Sequence, residues 1–190
     1  MNKPGIRALG VAESFKQGQK TSTLAGVVMR SDRVVDGLAV GKTSVRGDDA
    51  SASIAALYRR LKRNDINVLM VSGAILSLYN IIDIDGLSRK IRLPVICLTF
   101  KETSGIENSI MRHFPEGAEA KLEAYRKLGG RRRVRLKSGS LVFARTAGLG
   151  QAEVKSVLDI FTIQGSIPEP IRVARLLARA AAPIRSSRRD

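Results

Sequence analysis

The chain has 190 residues, 44% of them hydrophobic, which is enough for one domain with its own core, and no apolar run approaches the ~20 residues of a membrane span. Lys and Arg number 33 against 17 Asp and Glu, a net charge of +16. Such a field attracts polyanions, with a plain solubility surface as the alternative. A single cysteine and a single histidine exclude an internal disulfide, a cysteine metal cage and any metal cluster or triad that needs a second histidine.

Residues 1–7 lack the apolar segment of a signal peptide, so a cytoplasmic protein is expected. Residues 6–12 alternate as a first strand that ends at Glu13-Ser14-Phe15. Two further strands, 23–29 and 34–45, are separated from it and from each other by short polar turns, which indicates an antiparallel meander. Asp48-Asp49 opens a helix whose Ile54, Leu57, Tyr58 and Leu61 form one apolar stripe. Residues 66–72 are continuously apolar up to Ser72-Gly73, as expected of a strand buried on both faces.

A helix is expected over 80–91, carrying Asp83 and Asp85, followed by a strand at 94–99. Cys97 lies in that strand, where a buried inert thiol outweighs a nucleophile. Ser104-Gly105-Ile106-Glu107 and Ser166-Ile167-Pro168-Glu169 have capping-box spacing. The first opens a short helix with Ile110 inward, and Pro115 starts another that stops at Gly129. A hairpin turns at 138–140. Two last helices follow, one marked by Val154, Val157, Leu158 and Phe161, the other by Ile171, Ala174, Leu177, Ala178 and Ala181. There is no internal repeat and no linker, so residues 1–190 read as a single domain, with 184–190 a disordered basic tail.

The order β-β-β-α-β-α-β-α-α-β-β-α-α puts a meander before two βα units. It predicts an α/β fold built on a mixed five-stranded sheet flanked by helices, with an additional C-terminal hairpin and helices. This is the ribonuclease-H-like order of elements. In such a sheet the ends of the first and fourth strands lie side by side. Glu13 follows the first, Ser72 and Gly73 end the fourth, and Asp36 lies in the third.

Several convergent carboxylates can hold two cations ~4 Å apart across a phosphate, and hard oxygen ligands suit Mg2+ or Mn2+. Most of the acids also have structural readings. Asp49 can cap its helix, Asp83 can complement a helix dipole, and Asp36-Gly37 can be a turn or bulge. His113 near a helix C-terminus reads as structural. No phosphate-binding glycine loop is present. The densest basic run, residues 131–137, would place Arg131, Arg133, Arg135 and Lys137 on one strand face. That face could follow a DNA or RNA backbone, or guard a sheet edge against aggregation.

Four stretches in order, Gly5-Ile6-Arg7-Ala8-Leu9-Gly10-Val11-Ala12-Glu13-Ser14-Phe15, Leu24-Ala25-Gly26-Val27-Val28-Met29-Arg30, Val35-Asp36-Gly37, and Ser72-Gly73 with Tyr79-Asn80-Ile81-Ile82-Asp83, resemble a largely archaeal family of small uncharacterised proteins that looks like a relative of endonuclease V. The likeness spans roughly residues 5–180. It implies a ribonuclease-H-like fold and divalent-metal-dependent cleavage of DNA or RNA near deaminated or modified bases. Glu13 and Asp36 would be the catalytic acids, and Glu13, Asp36 and Asp83 the metal ligands. Related proteins often carry an acid pair where this chain has Ala12-Glu13, and an aspartate where it has Ser72. The alternative is a non-catalytic nucleic-acid-binding module on a degenerate nuclease fold. A third reading is a small-molecule or protein-binding role.

Overall fold

The computed structural model describes residues 5–102 and 105–183. Seven strands form one sheet in the order β3-β2-β1-β4-β7-β9-β8. The meander β1 (Arg7–Ser14), β2 (Thr21–Arg30) and β3 (Val35–Ser44) is antiparallel, and β4 (Val68–Ser72) and β7 (Val95–Thr99) run parallel to β1. These five are the strands expected from the sequence. The hairpin β8 (Arg132–Arg135) and β9 (Leu141–Ala147) is not a separate addition. It joins the sheet antiparallel to β7 and widens it to seven strands.

Both faces are covered, which is why β4 is apolar and buried from Val68 to Val71. On one face Leu9, Val11, Leu69 and Val71 meet Ile54 and Leu57 of α1 (Ala50–Arg60) and Leu87 of α2 (Ile84–Ile91). On the other, Ala8, Met70, Ile96 and Leu98 meet Val157, Leu158 and Phe161 of α5 (Gln151–Phe161) and Ile171 of α6 (Glu169–Ala180). Cys97 is buried, and burial pushes its thiol up to about 12, so it is inert at neutral pH as expected.

The segment after β4 differs from the expectation. Helix α2 begins only at Ile84, and residues 80–81 belong to a two-stranded ribbon of β5 (Ile75–Leu76) and β6 (Asn80–Ile81). Its turn holds Ser77, Leu78 and Tyr79 at φ 42°, 57° and 69°, a left-handed run that apolar periodicity cannot reveal. Asn80 is fully buried. Its amide nitrogen donates to Asp49 Oδ1 (2.7 Å) and to the Ser44 carbonyl (2.8 Å), and its Oδ1 accepts from the Ala50 amide (2.9 Å). Asn80 thus takes the amide at the start of α1, while the Asp49 carboxylate binds Thr43, Ser44 and Asn80.

Helix α4 (Ala118–Lys127) starts after Gly117, three residues past Pro115, and ends before Gly129 at φ 63° as expected. Helix α3 (Glu107–His113) has Ile106 at its N-cap, and Ser104 of the expected capping box lies outside the described residues. Helix α6 has Pro168 at its N-cap, whose ring offers no acceptor, so the expected capping box does not form and Glu169, the first helical residue, pairs with Arg172 (2.8 Å). Residues 184–190 also lie outside the described residues. No helix among the described residues is long and apolar enough to cross a membrane.

Candidate functional site

The chain leaves β1 toward β2 and leaves β4 toward β7, so strand order reverses between these two parallel neighbours. Crevices outside the carboxyl ends of strands at such a reversal are where open α/β sheets hold ligands. Val11 pairs with Val71, which places Ala12 beside Ser72 and puts Glu13 and Gly73 at the rim.

Glu13 is half-buried and fully engaged. It accepts from the Ser77 amide (2.6 Å), from the Ser77 hydroxyl and from the Ser22 hydroxyl (2.7 Å). It therefore pins the left-handed turn to the end of β1. Lys121 of α4 holds the other side of that turn. Its ammonium is buried and donates to the Tyr79 carbonyl (3.2 Å), the Gly47 carbonyl (3.0 Å) and Asp48 (2.6 Å).

Ser72 meets a cation where an acid was expected to be useful. Its hydroxyl accepts from Arg175 Nε (3.1 Å) and Nη2 (2.8 Å), and the Arg175 guanidinium lies 4.7 Å from the centre of the Phe100 ring. Burial, together with the nearby Arg179 charge, lowers the Arg175 guanidinium below its usual value.

Further arginines stand at the β7–β9–β8 side of the same edge. Arg131 and Arg133 lie over the Phe143 ring at 5.8 and 6.0 Å, and Arg145 lies over Tyr125 at 5.8 Å. Gly73, Thr99, Tyr125, Arg131 and Arg145 line a cavity of about 220 Å³ there. Arg133 also pairs with Glu102 (2.5 Å), and Arg135 donates to the Gly139 carbonyl (3.3 Å). Lys137 lies beyond β8, its amide held by Asp159 (2.7 Å). Of the four cations expected on one strand face, Arg133 and Arg135 lie in β8, Arg131 just before it and Lys137 beyond it, and Arg131 and Arg133 share the Phe143 ring.

The three acids named as metal ligands do not converge. Asp36, second in β3, lies across β2 at the level of the start of β1, where it accepts from Arg7 Nε (2.9 Å) and Arg63 Nη1 (3.1 Å). Glu13 lies six residues farther along β1, roughly 20 Å away at strand rise. Asp83 is exposed at the N-cap of α2, accepting from the Gly86 amide (2.9 Å), and it borders a wide cleft of about 980 Å³ between α2 and α4. No group of three or more His, Cys, Asp or Glu able to hold a metal occurs among the described residues. Magnesium and manganese want convergent oxygen ligands, and the described acids do not supply them. His113 packs against Tyr79 at the end of α3, a structural place.

Sequence reasoning missed Arg175, Arg145 and Lys121. For Arg175 a signal existed: Arg172, Arg175 and Arg179 recur at helical spacing on the last helix. Nothing in the sequence pairs that stripe with Ser72, 103 residues earlier.

Residues 4–182 match the sequence model of the family described as endonuclease dU. A UPF0215 protein of Pyrobaculum calidifontis is 36% identical over 171 residues, covering 90% of this chain and 93% of its own. A solved Archaeoglobus fulgidus protein of unknown function superposes with a TM-score of 0.78 at 23% identity, covering 92% of this chain and 97% of the other. Ciona intestinalis endonuclease V, solved with a 24mer DNA containing an inosine followed by a ribo-adenosine, superposes at 0.58 with 12% identity, covering 93% and 85%. The architecture is that of endonuclease V and therefore ribonuclease-H-like, and the chain belongs to the endonuclease dU family.

Proposed function

We propose that this protein binds nucleic acid along the carboxyl edge of its sheet, using the scaffold of a nuclease to hold a strand. The observation that carries this reading is the pairing of Arg131 and Arg133 with Phe143 and of Arg145 with Tyr125 beside Gly73. The rings, Phe143 buried and Tyr125 partly so, hold the guanidinium groups in place, which offers a backbone fixed positive charge. The +16 charge supplies the long-range attraction. The Ciona endonuclease V, which holds inosine-containing DNA, adds support by analogy of fold.

Fluorescence anisotropy with short single- and double-stranded oligonucleotides across a salt series tests the reading. Affinity should fall linearly in log–log form with salt. Arg131→Ala, Arg133→Ala and Arg135→Ala combined should lower the slope by about 2 for a single strand. An unchanged slope removes this face from the interface, and no binding at low salt removes the function.

Family membership favours a second reading, metal-dependent cleavage at deaminated or modified bases. Uracil-, inosine- and xanthine-containing strands with Mg2+ or Mn2+ decide it. Cutting of such strands in preference to undamaged ones establishes an endonuclease. Uncut strands that remain bound leave the binding module.

A further inference from the structure

Buried and partly buried cations such as Arg7, Arg63, Lys121 and Arg145 have carboxylate or carbonyl acceptors, Arg145 donating to the Gly129 carbonyl (3.0 Å). Arg7 and Arg63 share Asp36 and Asp65, and Lys121 has Asp48. Arg175 differs. Its partners among the described residues are a hydroxyl and an aromatic ring, and the nearby charge is another arginine, Arg179. A guanidinium has five N–H groups, and Ser72 takes two of them. A half-buried positive charge without a counter-ion is costly. Ser72 is also incomplete, because both lone pairs of its oxygen serve Arg175 and its own O–H is left to donate. Arginine N–H groups and a hydroxyl proton therefore meet at the carboxyl end of β4, at the reversal of strand order.

We propose that Arg175 and Ser72, backed by Arg179, form a phosphate-binding site that seats one phosphodiester of the bound strand. The site rests on the nucleic-acid reading for its ligand. A planar guanidinium recognises two phosphate oxygens at once, and the Ser72 O–H adds a third contact. The chemistry of this edge is thus that of an anion site, in the position where a cation-binding acid would repel phosphate. Phe100 fixes the plane of the guanidinium, and the first turn of α6, pressed onto β1 at Gly10, fixes the helix that carries it.

Two arms test this. In the first, the Arg175 Nε–Hε resonance of the full chain, assigned by its loss in Arg175→Lys, is followed during titration with inorganic phosphate and with chloride at matched ionic strength. A saturable shift with phosphate alone is expected. The same drift in both salts overturns the site. Ser72→Asp should abolish the phosphate response, because an internal carboxylate then neutralises Arg175. A response that persists in Ser72→Asp also overturns it.

In the second arm, Arg175→Gln should weaken single-strand binding about tenfold at low salt and lower the salt slope by about 0.7. A phosphate response with unchanged strand affinity overturns the proposal that a strand phosphate is the ligand. If the wild-type chain binds no strand at all, the proposed function fails, and the first arm still decides the anion site by itself.

Discussion

Glu13 and Ser77 are joined twice, backbone amide to Oε1 at 2.6 Å and hydroxyl to Oε2, across 64 residues of chain. The bond matters because Ser77 opens three consecutive left-handed residues, none of them glycine. Such backbone costs about 1–2 kcal/mol per residue and persists only when its surroundings hold it. Glu13→Ala should therefore destabilise the fold by about 2–3 kcal/mol, the range for losing charge-assisted hydrogen bonds to partly buried donors. Urea denaturation measures it. A change under 0.5 kcal/mol, together with loss of a Mg2+-dependent activity, would return Glu13 to the role of a metal ligand.

Asp36 is predicted to act on stability alone. It joins Arg7, Arg63 and Asp65 in a cluster tying the starts of β1 and β3 to the segment after α1. Its side chain is 21% exposed, between a surface pair and a buried one. Asp36→Ala should cost about 1–2 kcal/mol by the same bounds. Strand affinity, read by anisotropy, should not fall. Lost binding at unchanged urea midpoint would place Asp36 in the interface after all.

Acid should unfold the protein through Asp49 and Asp65. Burial acts to raise the Asp49 carboxyl, yet hydrogen bonds from Asn80, Ser44 and Thr43 outweigh it and hold the group below its usual value. The Arg63 hydrogen bond, against burial, brings Asp65 down to about 2. Both folded-state values lie below the unfolded value near 3.9. Their stabilisation is thus complete above that value and lost as pH falls from about 4 toward 2. Urea midpoints at pH 7, 4 and 2.5 should show the loss. Asp49→Asn should be less stable than wild type at pH 7, and the difference should shrink as pH falls toward 2.5. A constant difference across the series would mean that Asp49 contributes by shape and not by charge.

The architecture was legible because burial on two faces and on one leave different patterns. The continuous run 66–72 and the short polar turns between the three meander strands were enough to order the first five strands. The hairpin's place at the far edge was not, because nothing in residues 132–147 specifies β7 as its partner. Glu13 could be placed at the rim of the reversal point from the strand order. Asp36 lies far from that rim because two antiparallel steps, β1 to β2 and β2 to β3, make β3 run the same way as β1, so its early residues lie level with the start of β1. Asn80 was hidden for a related reason. Its role depends on Asp49 and Ser44, more than 30 residues earlier, and a local reading assigns it to the helix that follows. Arg175 stood in a visible basic stripe, but its meaning depends on a hydroxyl from another strand.

Gly10 is the residue on which the placement of the last helix depends. It sits mid-β1, and a Cβ built there would run into the carbonyl carbon and oxygen of Pro170 and lie 2.7 Å from the Ile171 amide. These are backbone atoms of the first turn of α6, so no side-chain rotation relieves the clash. Gly10→Ala must push α6 off the sheet, which also opens the contact of Ala174 with Ala12 and Val27. The expected cost is about 3 kcal/mol, the upper part of the overpacking range. Gly41 in β3 is the control. A Cβ there would meet Leu57 Cδ1 at 3.5 Å, an ordinary contact, so Gly41→Ala should stay within about 0.5 kcal/mol of wild type or stabilise slightly. The two variants also separate stability from alignment. In Gly10→Ala, Arg175 moves with its helix relative to Ser72, so strand affinity measured well below the unfolding midpoint should drop, while Gly41→Ala should bind as wild type does. Equal affinities in the two would show that the position of α6 over β4 is immaterial to binding, and with it the pairing of Arg175 and Ser72.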